Sequence, residues 1–234
     1  ILHSIQVFNK YPRMTYLGLY KNEEEKPNIK IVEKNGIKIA FVSFNQYVNG
    51  MTYQKKLPYM INFHESTMME NMKKARENAD IVIVSCHWGI EYDQNPNMFQ
   101  KNMAKQLADA GADVIIGTHT HTLQDVEYIQ RADGKRTLVA YSLGNFVSGM
   151  LNESCQLEGM LSFDIEKKEI KNVVFTPLVN YYTLTGKEER HDFSVYRLKD
   201  YTNKLVKKHG FPNLTIPSMK EEVKQKVKNI KIDM

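Results

Sequence analysis

The chain has 234 residues, 42% of them hydrophobic and 25% charged, with a formal net charge of +5. That is enough for one large or two small domains around a substantial core. It carries no apolar run long enough to cross a bilayer and nothing resembling a signal peptide at its start. Arg is scarce and no basic stretch is interleaved with aromatic residues, which argues against nucleic acid as a partner. The Lys excess, densest from Lys199 to Lys231, reads as solvated surface or as attraction to a polyanion.

In chain order, Ile1, Ile5 and Phe8 are helically spaced and Tyr11-Pro12 ends the run, so it reads as the tail of a helix begun upstream. Thr15–Tyr20 is β-prone. Ile29–Glu33 and Ile37–Phe44 flank Asn35-Gly36, a strong hairpin signal. Asn45–Asn62 is irregular and reads as a connecting loop or a flap over a binding rim. Met68, Met69, Met72, Ala75 and Ala79 mark the apolar face of an amphipathic helix over Ser66–Asn78 that packs on a sheet. Ile81–Cys86 is an apolar strand; Phe99, Met103 and Leu107 mark a helix near 97–110, with Gly111 as its stop. Asp113–Gly117 is the next strand. This helix–strand–helix–strand order predicts adjacent parallel strands joined by a helical crossover.

Beyond Gly117 the pattern changes. Asp125–Gln130 and Thr137–Tyr141 flank an Ala132-Asp133-Gly134 turn and predict a hairpin, and Leu157–Ile165 with Ile170–Val179 predict a second. Gly144 breaks the intervening stretch and returns Asn145 toward the strand ends. Phe193–Lys208 and Met219–Lys231 read as two exposed Lys-rich helices. Two cysteines make no disulfide framework and fit no zinc ribbon. Cys86 and His87 are neighbours in a strand and point to opposite faces, so Cys86 reads as a buried small hydrophobe rather than half of a Cys–His nucleophile pair. No nucleophile elbow, P-loop or dinucleotide fingerprint is present.

The chemistry gathers at the ends of two strands. His87 follows Ile81–Cys86, and His119 and His121 follow Val114–Ile116. Side chains at the carboxyl ends of such strands line the crevices of open α/β sheets. In extended backbone, residues two apart point the same way, so His119 and His121 can address one ion together. Imidazole is the commonest metal ligand at neutral pH. These positions predict that His87, His119 and His121 converge on a divalent metal.

The combination His87-Trp88-Gly89-x-Glu91-Tyr92, Asp109 through Gly117, His119-x-His121, Gln124 and Tyr141-Ser142-Leu143-Gly144-Asn145-Phe146 resembles the CapA family. These are poly-γ-glutamate capsule biosynthesis proteins of the calcineurin-like metallophosphoesterase superfamily. The resemblance runs in order over roughly residues 15–180. It implies an α/β fold, a four-layer α/β/β/α metallophosphoesterase-like sandwich, whose N-terminal strands would lie before Ile1. It implies metal ligation by His87, His119 and His121, with Glu91 and Asn145 lining the same cleft in catalytic roles. The ions would be zinc, manganese or iron, two of them in the intact protein, clamping a phosphate and generating hydroxide.

The same resemblance implies work in capsule synthesis or export, as a metal-dependent hydrolase or transferase or as a non-catalytic binding subunit. Its partners would be an anionic polymer or phosphate-containing substrate and other capsule synthesis membrane proteins. Its place would be extracytoplasmic, anchored to the membrane through a segment before Ile1. Residues 1–190 are then the C-terminal two-thirds of the family domain, and 191–234 a Lys-rich helical extension. The stretch from Ile1 onward is expected to lack part of the family's ligand set and to leave strand edges unpaired.

Overall fold

A computed structural model describes residues 2–25, 29–47, 63, 67–186, 188–211 and 213–234. Most of the predicted Asn45–Asn62 connection lies outside them. The described chain is α/β, with two sheets and five α-helices. One sheet has the order β1-β2-β3-β4-β6-β5, and the other β10-β8-β7 with β9 paired to β8. Contacts divide the chain into two compact units. The first holds residues 1–88, 99–117 and 129–138; the second holds 89–98, 118–128 and 139–234.

In the first unit, α1 (Leu2–Phe8) forms where its apolar spacing predicts and buries Ile5. Strands β1 (Lys30–Lys34) and β2 (Ile37–Asn45) pair antiparallel. Asn35 and Gly36 turn between them at φ 54° and 73°, the left-handed region that these residue types tolerate best. Thr15–Tyr20 forms no strand. Its β-branched and aromatic content is overridden by a bend at Gly18, whose φ is 74°. Helix α2 (Thr67–Asn78) buries Met68, Met72 and Ala75 and leaves Met69 exposed, which is one apolar stripe.

Strand β3 (Ile81–His87) pairs in parallel with β2, in a register that sets His87 opposite Asn45. Helix α3 (Met98–Asp109) then leads to β4 (Val114–Thr118), which neighbours β3 in the sheet. Asp113 N–H donates to the Val82 carbonyl at 2.8 Å, so the two strands begin side by side and run the same way. The crossover expected from the sequence is therefore present. Cys86 is fully buried and unbonded to Cys155, and burial pushes its thiol far above the usual range, the behaviour of a small hydrophobe. Phe63 lies between Phe44 and Trp88, with centroids 5.7 and 5.8 Å away, which closes this part of the core.

The sheet continues through β6 (Arg136–Ala140) to β5 (Val126–Gln130), the first hairpin predicted past Gly117. In the second unit, β7 (Leu157–Glu166) and β8 (Glu169–Thr185) form the second. β8 runs on past Val179 because its second half pairs with β9 (Glu189–Arg197). This corrects the helix predicted from Phe193: Phe193 and Val195 alternate as in a strand, and helix α4 (Asn203–His209) begins only after its cap, Thr202. The last helix also differs. Helix α5 (Ile216–Lys226) starts earlier than Met219 because Thr215 and Ser218 form a capping box, and it ends before Lys231-Ile232, which adds strand β10 parallel to β8. Tyr181, Tyr182 and Phe211 pack around the buried ring of His209, and Tyr201 O–H lies 2.8 Å from its Nδ1. No helix of the described residues is long and apolar enough to cross a membrane.

Candidate functional site

His87 closes β3 in the first unit, where its carbonyl accepts from Gln46 N–H at 2.8 Å. Glu91, His119, His121 and Asn145 belong to the second unit, and there the local geometry is well defined. Residues 119–122 are not extended, so strand alternation is not what pairs the two histidines. His119 and His121 both have positive φ, 101° and 64°. Non-glycine residues reach that region rarely and at a cost, and such strain persists only where the surroundings over-determine it.

Those surroundings are the buried residues between and beyond the histidines. Thr120, Thr122 and Gln124 are fully buried. Thr122 donates from Oγ1 to the Asp93 carbonyl at 2.6 Å, and Gln124 donates from Nε2 to the Asp93 and Asn95 carbonyls at 2.9 and 3.1 Å. In return, Tyr92 N–H donates to the Thr120 carbonyl at 2.7 Å. The even positions thus hold the 90–95 loop, and the odd positions carry the two imidazoles. Their ring centroids are 6.3 Å apart, so the pair is brought together by this bent, cross-bonded loop and not by a pleated strand.

Holding that loop places Glu91 beside His121, with Oε1 3.8 Å from Nε2, and sets the Tyr92 ring at 6.1 Å from the His121 ring. On the other side, Asn145 Oδ1 lies 2.8 Å from His121 Nδ1, while Asn145 Nδ2 donates to the His121 carbonyl at 3.3 Å. An amide oxygen only accepts, so His121 Nδ1 carries a proton and donates to Asn145. His119 is held below the usual imidazole range, chiefly by burial; Glu91 opposes that shift and His121 adds to it. Its ring is neutral at neutral pH.

Glu91, His119, His121 and Asn145 are therefore neighbours in one loop cluster. Among the described residues no group of three or more His, Cys, Asp or Glu side chains is placed to hold a metal ion. The donor chemistry, two imidazoles and a nearby carboxylate, fits a divalent cation, but these residues do not close a ligand set among themselves. Sequence reasoning missed Thr120 and Thr122, although a polar residue between two histidines is itself a signal that one side of the loop turns inward.

Residues 1–150 match the family described as bacterial capsule synthesis protein PGA_cap. The capsule biosynthesis protein CapA of Bacillus anthracis is 35% identical over 139 residues, 57% of this chain and 33% of that protein. The PGA biosynthesis protein CapA of Bacillus subtilis (strain 168) is 31% identical over 160 residues, 68% of this chain and 41% of that protein. The chain thus spans less than half the length of either relative. Among solved structures, the NAD nucleotidase NadN of Haemophilus influenzae aligns over 88% of this chain and 38% of its own, with 15% identity and a TM-score of 0.40. A hypothetical protein from Thermus thermophilus aligns over 72% of this chain and 60% of its own, with 15% identity and a TM-score of 0.31. Likenesses this distant say nothing about chemistry.

Proposed function

The chain belongs to the bacterial capsule synthesis protein family, and from that premise we propose that it takes part in making or exporting a poly-γ-glutamate capsule, with the His119–His121 loop as a divalent-metal site. The observation that carries this reading is the cluster itself: Asn145 Oδ1 lies 2.8 Å from His121 Nδ1, Glu91 Oε1 lies 3.8 Å from its Nε2, and the neutral His119 ring is next to it. Zinc or manganese would be held by His119 and His121; remaining positions would fall to water, substrate or further protein ligands. A bound ion would supply the positive charge that polarises a phosphoryl oxygen or attracts a carboxylate-bearing polymer. Asn145 orients His121 through its Nδ1. The protein would work outside the cytoplasm, on the membrane, with other capsule synthesis proteins.

Titration calorimetry with Zn2+ and Mn2+ tests this. His121→Ala is expected to weaken binding at least tenfold, and His119→Ala by a similar factor, because each removes one of few ligands. Equal affinity in both variants would sink the reading. Hydrolysis of a phosphodiester that follows metal occupancy would favour a catalytic role. Metal-dependent retention of poly-γ-glutamate without hydrolysis would favour the binding role.

A further inference from the structure

A cavity of about 370 Å³ opens within the second unit, lined by the 90–95 loop, the 3-10 turn Glu153–Cys155 with its cap, and the first half of α5 with its lead-in. That size falls in the range of small-molecule sites. Its apolar lining is Leu214 and Met219, both buried. The polar walls are locked. Asn152 Oδ1 caps the turn by accepting from Ser154 N–H at 3.1 Å and Ser154 O–H at 2.8 Å. Ser218 Oγ is committed to the capping box of α5, donating to the Thr215 carbonyl at 2.9 Å and accepting from Thr215 N–H at 3.0 Å. Lys226, only 8% exposed at its side chain, donates from Nζ to the Gln94 carbonyl at 2.5 Å and ties the 90–95 loop to α5.

Four lining groups remain for a ligand. Among the described residues, the Glu153 carboxylate and the side-chain amides of Gln94 and Asn213 have no bonded partner. The Glu222 carboxylate meets Lys226 at 3.9 Å; burial raises its pKa and Lys226 opposes the shift, so a second cation there is favoured. Two carboxylates accept from an ammonium, and two carboxamide NH2 groups donate to a carboxylate. No Lys or Arg lines the cavity among the described residues, so a run of carboxylates alone meets like charge. A divalent ion wants more oxygen ligands than two carboxylates supply.

We propose that this cavity binds an α-amino-acid end, its ammonium held by Glu153 and Glu222 and its carboxylate by Gln94 and Asn213. A γ-linked glutamyl chain carries that zwitterion once, at its free amino end. Every residue further along has a carboxylate and no ammonium, so the cavity selects the end of such a polymer over its body. Naming the polymer rests on the capsule reading above; the zwitterion follows from the lining alone. The cavity also shares backbone with the histidine loop. The loop that sets Glu91 beside His121 brings Gln94 to the cavity, and the segment after Asn145 leads to Asn152 and Glu153.

Calorimetry and 1H–15N spectra of the full chain test this, in EDTA so that no metal occupies the histidine loop. The probes are γ-glutamyl-glutamate, its N-acetyl form, α-glutamyl-glutamate and free alanine. γ-Glutamyl-glutamate should shift the amides of Gln94, Glu153, Asn213 and Glu222. Acetylation, which removes the ammonium, should weaken binding about tenfold, as should the α-linkage, which consumes the α-carboxylate of the first residue. Glu153→Gln and Glu222→Gln should each weaken γ-glutamyl-glutamate by a similar factor, roughly tenfold, with far-UV circular dichroism unchanged. Should Glu222→Gln not fold, Glu153→Gln and the four probes on the parent decide the matter. Absent binding of γ-glutamyl-glutamate, equal affinity for its acetylated form, or shifts confined to other residues overturns the proposal. Free alanine binding as tightly as γ-glutamyl-glutamate, with the acetylated form weak, upholds the zwitterion site and removes the polymer as its occupant, so a failure of the capsule reading shows separately.

Discussion

Asp113→Ala is expected to destabilise the protein by about 4 kcal/mol, the scale of a buried ion pair broken from one side. Asp113 opens β4, and its carboxylate accepts from Arg76 Nη1 at 2.8 Å, Arg131 Nη1 at 3.1 Å and Val82 N–H at 2.8 Å. Arg131 is only 6% exposed at its side chain, so once Asp113 is gone its charge keeps just the Asp133 contact at 2.8 Å. Arg76 meanwhile bonds the Ala79, Asp80 and Gly111 carbonyls, which ties the end of α2 to the approaches of β3 and β4. One truncation therefore strands a buried cation, orphans a strand N–H and loosens the starts of β3 and β4. Asp113→Asn keeps acceptors for Val82 and one arginine and should cost roughly half as much. Raised salt should rescue little, since the pairs are partly buried. Urea unfolding followed by circular dichroism measures both; an alanine variant within about 1 kcal/mol of the parent would show the network to be incidental.

What the sequence makes legible follows from which forces are local. The Asn35-Gly36 turn, the Met68–Met72–Ala75 stripe and the alternation of Leu157–Ile165 are decided within a few residues, and each appears where it is expected. β9 reads as a helix because its pairing depends on β8, a distant partner, and Tyr196, Val195 and Phe193 suit either period. The capping box at Thr215 and Ser218 is local and readable, and marks the true start of α5. Within the site, the nearness of His119 and His121 is legible from spacing, but for the wrong conformational reason. Their positive φ angles come from bonds that Thr122, Gln124 and Tyr92 make across the 90–95 loop. Asn180 and Gln156 leave no trace at all: their buried carboxamides bond the backbone of Ser148 and Met150, and in strand-like stretches they look like surface until that loop is placed.

Glu158→Gln is expected to raise stability at neutral pH and to remove a pH dependence that the parent shows. Glu158 lies in β7 opposite Leu178, with no exposed surface and, among the described residues, no hydrogen-bond partner for either carboxyl oxygen. Its side chain packs directly against Gly144, where an added Cβ would come within 3.3 Å of the Glu158 Cγ. Burial pushes its pKa from 4.5 up to about 9. The folded protein therefore keeps this proton at neutral pH, while the unfolded chain releases it. A carboxyl raised in this way leaves stability intact below pH 4.5, and stability then falls as pH rises toward 9. At neutral pH the loss amounts to roughly 3 kcal/mol. Glutamine has nearly the same shape and no proton to lose. The variant should match the parent near pH 4.5 and exceed it by an increasing margin at higher pH, with the gap levelling off above the folded pKa. Comparing variant with parent at each pH removes the contribution of exposed carboxylates such as Asp109 and Asp133, which hydrogen bonds hold below their ordinary range and which therefore weaken the fold in acid. Guanidinium unfolding at about pH 5, 7 and 8.5 is sufficient to span the window. If the two proteins run parallel across that range, Glu158 is ionised in the fold. A water or another group must then reach it behind Gly144, one residue from the Asn145 amide that sets His121.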